Sequence, residues 1–248
     1  MLITPGDKYQ VELTAEKPVV DAITSNVASG ILFFGIDLVK SEEDIKVTVT
    51  LPNSKLKSVQ LTAAATMFIA PGFTAKEFTA VGSGAIDLYV DGITVDKLTL
   101  DCRGASGMEV LGSIGSANVT TSGISDISLT KVKGPVQVNA TDVSKILIEA
   151  NPDSAESVII AGTAEDASTV QHAGGRCALS KTNSTSECKQ VAAPIIAAMP
   201  VMWTSGIAVT DAYSCNGNSG AGGALIGNVC IGRPCQGLAK ELGVASRA

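Results

Sequence analysis

Two stretches of this chain share one pattern of apolar residues and decide its fold. They are Val119-Thr-Thr-Ser-Gly-Ile-Ser-Asp-Ile-Ser-Leu129 and the stretch that follows it closely, Val138-Asn-Ala-Thr-Asp-Val-Ser-Lys-Ile-Leu-Ile148. Each stretch ends in an apolar pair at positions i and i+2, which lie on the same face of a β-strand. A strand pair that recurs at a fixed interval predicts a β-solenoid, in which each coil buries its apolar face against its neighbours.

The repeat extends outward from these stretches in two series of apolar residues with a nearly constant interval. One series comprises Met67, Ile86, Met108, Ile127 and Ile146. The other comprises Val59, Phe78, Leu98, Val119, Val138 and Val158. We therefore predict an all-β, parallel β-helix with these side chains pointing inward, one above another.

The repeat divides the chain into three parts. Residues 1–52 carry alternating strands and one short helix that starts near Pro18, and we predict that they form an N-terminal β cap over the exposed end of the solenoid. Residues 53–170 form the solenoid coils. Residues 171–248 lose the repeat and are rich in cysteine and glycine, so we predict an irregular C-terminal segment.

Composition excludes some classes of partner. The chain has 18 Lys and Arg against 24 Asp and Glu, and this net charge of −6 provides no basic surface for a phosphate backbone. Aromatic residues make up only 4%, which argues against a platform for stacking bases or sugars. Pro194, Pro200 and Gly206 interrupt the apolar stretch 191–209, so we expect no membrane-spanning segment.

Cysteines and glycosylation sequons indicate an oxidising, extracellular or cell-surface location. We predict a Cys177–Cys188 disulfide, because the short segment between these residues can close as a hairpin-like loop, and a second disulfide from Cys215 to Cys230 or Cys235. Cys102 is either free or paired with a cysteine of the tail. The candidates for N-glycosylation are Asn118, Asn139 and Asn183.

The first residues do not form a signal peptide, because Pro5, Gly6 and Asp7 interrupt any apolar run and no basic residue precedes one. A secreted protein with this start is expected to be a fragment or a gene model that lacks its beginning. The unprocessed N-terminus would settle the route of export.

A succession of short segments carries a family resemblance. It begins with Pro5-Gly-Asp-Lys-Tyr-Gln-Val-Glu-Leu13, continues through Ala22-Ile-Thr-Ser-Asn-Val-Ala-Ser-Gly-Ile-Leu32 and Val47-Thr-Val-Thr-Leu-Pro52, and reaches Gly82-Ser-Gly-Ala-Ile-Asp-Leu88. Over residues 5–170 the chain resembles the family described as "putative auto-transporter adhesin, head GIN domain". The resemblance implies a right-handed, single-stranded β-helix at the cell surface or in the periplasm, without catalytic residues. The cysteine-rich tail and the sequons depart from the family pattern and suggest a eukaryotic secreted relative.

Two motifs mimic active or metal sites. Cys215-Asn-Gly-Asn-Ser-Gly220 resembles the sequence around a trypsin-like nucleophile, but the only histidine, His172, lies too shortly before Ser219 for a two-barrel protease and lacks the flanking residues of a catalytic base. The tail cysteines and His172 also have the wrong spacing for zinc, because only Cys230 and Cys235 are close in sequence. We predict no catalytic residue, no metal site and no cofactor.

The sequence therefore favours a non-enzymatic, secreted or cell-surface β-solenoid that functions in adhesion or matrix interaction. Its partner would be a surface, polysaccharide or protein ligand, and nucleic acid is not expected. The alternative is a carbohydrate-active or carbohydrate-binding β-helix protein, because Asp87 and Glu109 occupy matching positions on adjacent coils of the predicted repeat. A stacked carboxylate pair in a groove would favour the enzyme, and a smooth polar face would favour adhesion.

Overall fold

The structure is a computed structural model that describes residues 1–28, 31–36, 45–181, 187–193 and 227–231. It is a parallel β-solenoid of about 7 turns, with 70% of its residues in strands. The predicted fold class is therefore confirmed. Within the described ranges, no helix has both the length and the apolar character needed to cross a membrane.

The strands vary greatly in length because several of them run around a corner of the coil. In chain order, β1 to β16 are Leu2–Pro5, Gln10–Thr14, Ile23–Ala28, Ile31–Ile36, Lys46–Leu51, Ser58–Ile69, Thr74–Gly104, Gly107–Gly123, Asp126–Val132, Val136–Ala140, Lys145–Ala150, Ile159–Ala164, Thr169–Ala173, Arg176–Lys181, Glu187–Gln190 and Gly227–Ile231. Helix α1 spans Lys17–Ala22, with Pro18 in its first turn, and a 3-10 helix spans Pro152–Ser157.

Two long sides of the solenoid enclose its core. The first side stacks the end of β8 on β10, β12 and β14, and the second side stacks the start of β8 on β9, β11, β13 and β15. All of these pairings are parallel. Along each strand, buried and more exposed residues alternate, so one set of side chains fills the interior and the other covers the outside.

The interior consists of apolar side chains stacked from coil to coil. On the second side, Met108 pairs with Ile127 and Ile127 with Ile146, and on the first side Val119 pairs with Val138. Each of these side chains is at most 2% exposed. Burial of apolar surface against the neighbouring coil is the main free-energy gain that offsets the ordering of each coil.

In the first coils, the pairing of residues on neighbouring strands differs by two residues from the sequence prediction. Met67 pairs with Leu88 and not with Ile86, and Val59 pairs with Ala80 and not with Phe78. Likewise, Leu100 and not Leu98 pairs with Val119. Such a shift keeps every side chain on the same face of its strand, so all the predicted inward residues are still buried.

A stacked corner sets this register. Its residues have positive φ in successive coils: Ala63, Gly84, Gly104, Gly123, Asp142 and Asp166. At Gly123, with φ +82, an added Cβ would lie 2.5 Å from the carbonyl oxygen of Gly104 in the coil before it. Shortly after the corner, the hydroxyls of Ser106, Ser125 and Ser144 each donate to a nearby preceding carbonyl at 2.8 Å.

The first residues form strands at the start of the solenoid. Strand β1 lies between β6 and β5 and pairs in parallel with both. Strand β2 then adds to β5 in antiparallel orientation, while β3 and β4 form a separate antiparallel pair. The backbone of β16 lies between β4 and β6 and is antiparallel to each. Antiparallel strands therefore occupy an end that would otherwise offer an open parallel edge.

The coils continue past residue 170, where the sequence prediction ended them. Strands β14 and β15 pair in parallel with β12 and β13, so the regular stacking extends to Gln190. A disulfide joins Cys177 of β14 to Cys188 of β15. It links the two sides across the last coil that the structure describes, because Cys177 lies below Ile160 and Cys188 below Val170. The apolar repeat did not predict this coil, because half-cystines replace aliphatic residues in it and the helix at 152–157 changes the repeat interval before it.

The other predicted cysteine and sequon sites fall largely outside the described ranges. Cys215, Cys235 and Asn183 lie beyond them, and only the backbone of Cys230 is described, within β16. The structure therefore leaves the second predicted disulfide and the third sequon as predictions. Cys102 is a free and fully buried cysteine.

The core assignment predicts that a charge at Ile127 destabilises the protein strongly. Ile127 is 0% exposed and stacks between Met108 and Ile146. We expect Ile127→Asp to lower the free energy of unfolding by about 3–5 kcal/mol, because the carboxylate would be buried without a partner. The control is Gln137→Asp, at an exposed outward position whose strand partners are uncharged, which should melt close to the parent. Equal melting of parent and Ile127→Asp in denaturant titrations would refute the inward assignment.

The stacked corner predicts a large loss of stability for one substitution and a small loss for another in the same column. Gly123→Val places a β-branched side chain at positive φ and against the Gly104 carbonyl, so we expect a loss of about 2–4 kcal/mol. Asp142→Gly suits the same backbone conformation and loses the acceptor of the Gly123 N–H, at 2.8 Å, and a longer contact from the Thr141 hydroxyl, at 3.4 Å, for about 1 kcal/mol in total. Chemical denaturation of both variants tests the corner, and a harmless Gly123→Val would show that the column is placed wrongly.

Burial predicts that the Cys102 thiol is inert in the folded protein. Desolvation raises the pKa of Cys102 to about 11 from an ordinary value near 9, so the folded state holds the proton more tightly than the unfolded state does. Stability from this group is complete below the unfolded pKa and is lost as pH rises from about 9 to 11. We expect no labelling of Cys102 by a thiol reagent at pH 8 without denaturant, as read by peptide mass spectrometry. Above pH 9 the parent should lose stability faster than Cys102→Ala, and parallel pH profiles of the two would contradict the assignment.

Candidate ligand-binding surface

The carboxylates proposed for catalysis are not aligned in the structure. Asp87 pairs with Gly107, whereas Glu109 pairs with Tyr89, so the two acids are diagonal neighbours and not members of one column. The predicted match failed because the sequence placed this coil out of register by one i to i+2 step. Within the described residues, no group of three or more His, Cys, Asp or Glu side chains is arranged to hold a metal ion.

The second side of the solenoid is acidic around one tyrosine. The rings of Phe68 and Tyr89 stack with their centroids 4.9 Å apart and their planes 10° apart. Partial burial and the nearby charges of Asp87 and Glu109 raise the pKa of the Tyr89 hydroxyl, and burial also raises the pKa of Glu109. Asp126 follows one coil later. Two stacked rings cover one face of each other, which reduces the aromatic surface available to a ligand.

His172 has no catalytic surroundings in the described structure. It occupies an inward position below Ile148 and is 5% exposed. Its Nδ1 lies 2.9 Å from the carbonyl oxygen of Gly174. This contact satisfies one ring nitrogen of a histidine that packs in the core near the last described coil. The role of a general base, already disfavoured by the sequence, gains no support from this position.

The first side carries a regular array of uncharged hydrogen-bonding groups, which we name the polar face. It consists of two columns of outward residues, namely Thr99, Asn118 and Gln137 in one and Thr120, Asn139, Thr163 and Ser180 in the other. Neighbouring members of a column belong to hydrogen-bonded strands, which lie about 4.8 Å apart. Their side chains are exposed or half-buried. The first column continues into Ala161 and the second begins beside Asp101, so the two columns run side by side over two coils and one column extends the strip in each direction.

Contacts between coils order part of the polar face. The hydroxyl of Thr163 donates to Oδ1 of Asn139 at 2.9 Å. At the edge of the face, Arg103 makes two hydrogen bonds to the carboxylate of Asp101, from Nε at 2.8 Å and from a terminal nitrogen at 2.6 Å. Asp101 pairs with Thr120 at the head of the second column, so this ion pair offsets the charge directly beside that column. An ion pair so exposed adds little stability, but it fixes the direction of the arginine side chain.

The two sequons of the coils lie within the polar face. Asn118 pairs with Gln137 and Asn139 pairs with Thr120, which is the alignment that the sequence repeat predicts. Both asparagines are exposed. As diagonal neighbours they would be roughly 7–8 Å apart, so we expect N-glycans, if added, to occupy at most one of the two sites on most molecules. A glycan on either asparagine would shield this face, so the face can bind a ligand only on molecules in which both sites are empty.

The sequence repeat predicts only part of the polar face. It aligned Asn118 with Gln137 and Thr120 with Asn139, but it did not extend the second column to Thr163 and Ser180. The 3-10 helix Pro152–Ser157 lengthens the coil between Asn139 and Thr163, so the expected repeat interval fails there. The aspartates at the corner could have revealed this longer coil in the sequence, because Asp142 and Asp166 both adopt positive φ and lie at its two ends.

Outside the polar face, the main exposed apolar groups lie along the corner. Ile124 is 71% exposed and Val143 is 59% exposed, and each follows a positive-φ residue. A surface depression lined by Ala155, Glu156, Gly175 and Arg176 lies elsewhere and contains a single carboxylate. The polar face differs from both in presenting uncharged hydrogen-bonding groups in register from coil to coil.

Comparisons with known proteins agree with this architecture. The crystal structure of a putative adhesin from Bacteroides fragilis NCTC 9343 superposes with a TM-score of 0.66 at 19% sequence identity, covering 77% of this chain and 87% of that one. No curated protein matches this chain. The family model described as "Putative auto-transporter adhesin, head GIN domain" matches residues 1–165, which is more than half of the sequence. The chain therefore belongs to the putative auto-transporter adhesin, head GIN domain family.

Proposed function

We propose that this protein is a non-enzymatic, secreted or cell-surface adhesin-like solenoid that binds its ligand on the polar face. The proposal rests on one observation: uncharged hydrogen-bonding side chains form two continuous columns along the first side, at the spacing of the coils. Family membership supports an adhesin-like role. The rigid backbone beneath the columns keeps the side chains in place before binding, which lowers the entropic cost of association.

A catalytic role receives less support from the described surface. Hydrolysis of a glycosidic bond uses two carboxylates that flank the bond, and the diagonal pair Asp87 and Glu109 faces outward on the acidic second side. Tyr89 lies beside both acids and not between them in a groove. The carbohydrate-active alternative therefore rests on the raised pKa of Glu109, which burial alone explains.

Retention of protein-coated beads tests the adhesin proposal. We expect beads coupled to the full chain, produced without N-glycans because Thr120 belongs to the Asn118 sequon, to adhere to at least one surface in a panel of immobilised polysaccharides and matrix proteins. Thr120→Arg/Thr163→Arg places two bulky cations on the polar face, and it should abolish retention. The matched control, Ser128→Arg/Gln171→Arg, adds the same charge to the second side at comparable positions along the axis and should leave retention unchanged.

Each other result counts against the proposal. Equal loss in both variants would show that adhesion depends on overall charge, and equal retention would place binding elsewhere on the molecule. Retention of the parent on none of the surfaces would reject the adhesin-like role. Release of new reducing ends from a soluble polysaccharide, abolished by Glu109→Gln, would instead establish the carbohydrate-active alternative.

A further inference from the structure

We infer that the ligand of the polar face is an uncharged polysaccharide chain that lies along the solenoid axis. This inference rests on the proposed function and adds the chemical class of the ligand. It follows from three properties of the polar face: the kind of hydrogen-bonding group, the absence of net charge and the repeat along the axis. Each property narrows the range of partners.

The polar face presents both donors and acceptors at every coil. Threonine and serine hydroxyls each donate once and accept, and the amides of Asn118, Gln137 and Asn139 offer two donors and one acceptor oxygen each. A sugar ring carries hydroxyl groups that are also donors and acceptors. A face of mixed groups can therefore satisfy a polyhydroxylated chain in more than one orientation, whereas a purely anionic or cationic face cannot.

Charge separates the two sides of the solenoid. Every residue of the polar face is uncharged, and Arg103 already pairs with Asp101 at its edge. The second side carries Asp87, Glu109 and Asp126, with Lys145 beside Asp126, in a protein of net charge −6. An anionic polymer would be repelled by the protein as a whole, and a cationic one would prefer the second side. Only a neutral ligand gains from choosing the polar face.

A folded protein is a poorer match for this surface. Protein interfaces take most of their energy from a few large apolar or aromatic anchors buried at the centre. The residues that make up the polar face include no aromatic or large aliphatic side chain. Weak hydrogen bonds that recur along a strip suit an extended chain, because each added sugar binds as part of the same molecule and the contacts accumulate.

Isosteric substitution tests the ligand class directly. Thr99→Val/Thr120→Val/Thr163→Val removes three hydroxyls from the polar face and keeps the β-branched shape. The control, Thr66→Val/Thr94→Val/Thr169→Val, removes three hydroxyls from other outward positions of the coils. We would measure binding of the full chain to cellulose, chitin and insoluble β-1,3-glucan, with polygalacturonate and chitosan as charged polymers, at low and high salt.

The expected result is binding to at least one neutral polymer that is insensitive to salt. The polar-face variant should bind it at least about tenfold more weakly, because three hydrogen bonds of modest individual value are lost, and the control should bind like the parent. Equal binding by the two triple variants would overturn the inference. So would binding confined to polygalacturonate or chitosan, or to none of the polymers.

These results are distinguishable from failure of the adhesin proposal. If the parent adheres to matrix proteins but to no neutral polymer, the adhesin-like role stands and the ligand class is wrong. If it adheres to nothing in either experiment, both proposals fail. Thermal melts of the two triple variants should match that of the parent, since all six threonines point outward, and they show that any loss of binding arises on the folded protein.

Discussion

The constraint on which this structure depends is the parallel stacking of coils around a narrow apolar interior. A coil cannot bury its own apolar face, so Ile127 needs Met108 on one side and Ile146 on the other. Backbone hydrogen bonds fix the distance between coils, and the alternation of the strand decides which side chains enter the interior. The interior therefore admits almost any aliphatic residue of suitable size, but it excludes charge.

The corner specifies the register between coils, which the apolar interior alone does not. A column of positive-φ residues, from Ala63 to Asp166, turns the chain at the same point in each coil. The hydroxyls of Ser125 and Ser144 then donate to the carbonyls of Ser122 and Thr141 within the same turn. At the last described coil the Cys177–Cys188 disulfide joins the two sides, where no further coil is described to pack against them. Corner and disulfide together hold the two sides in one geometry.

Function follows from what this scaffold leaves unconstrained. Outward residues contribute little to stability, so the chain can place Thr120, Asn139 and Thr163 in one column without disturbing the core. The same regularity gives the second side a different character, with acids around Tyr89. A solenoid thus separates two surface chemistries on different sides of one scaffold. Because the two sides differ in chemistry, the chemistry of the polar face can indicate a class of ligand even though this face forms no pocket.

The sequence by itself determined the solenoid, the inward residues and the local alignment of the middle coils. The segment between Ile127 and Ile146 contains no insertion, so apolar pattern and register agree there. Only the tertiary structure decided the register at Phe78 and Ile86, because an apolar pair at i and i+2 fits equally well when shifted by one such step. It also decided that the coils reach Gln190 and that Asp87 and Glu109 are diagonal. The stacked corner decides the register, and the inserted helix changes the length of a coil. Both features align residues that are distant in sequence, which a local pattern of apolar residues cannot do.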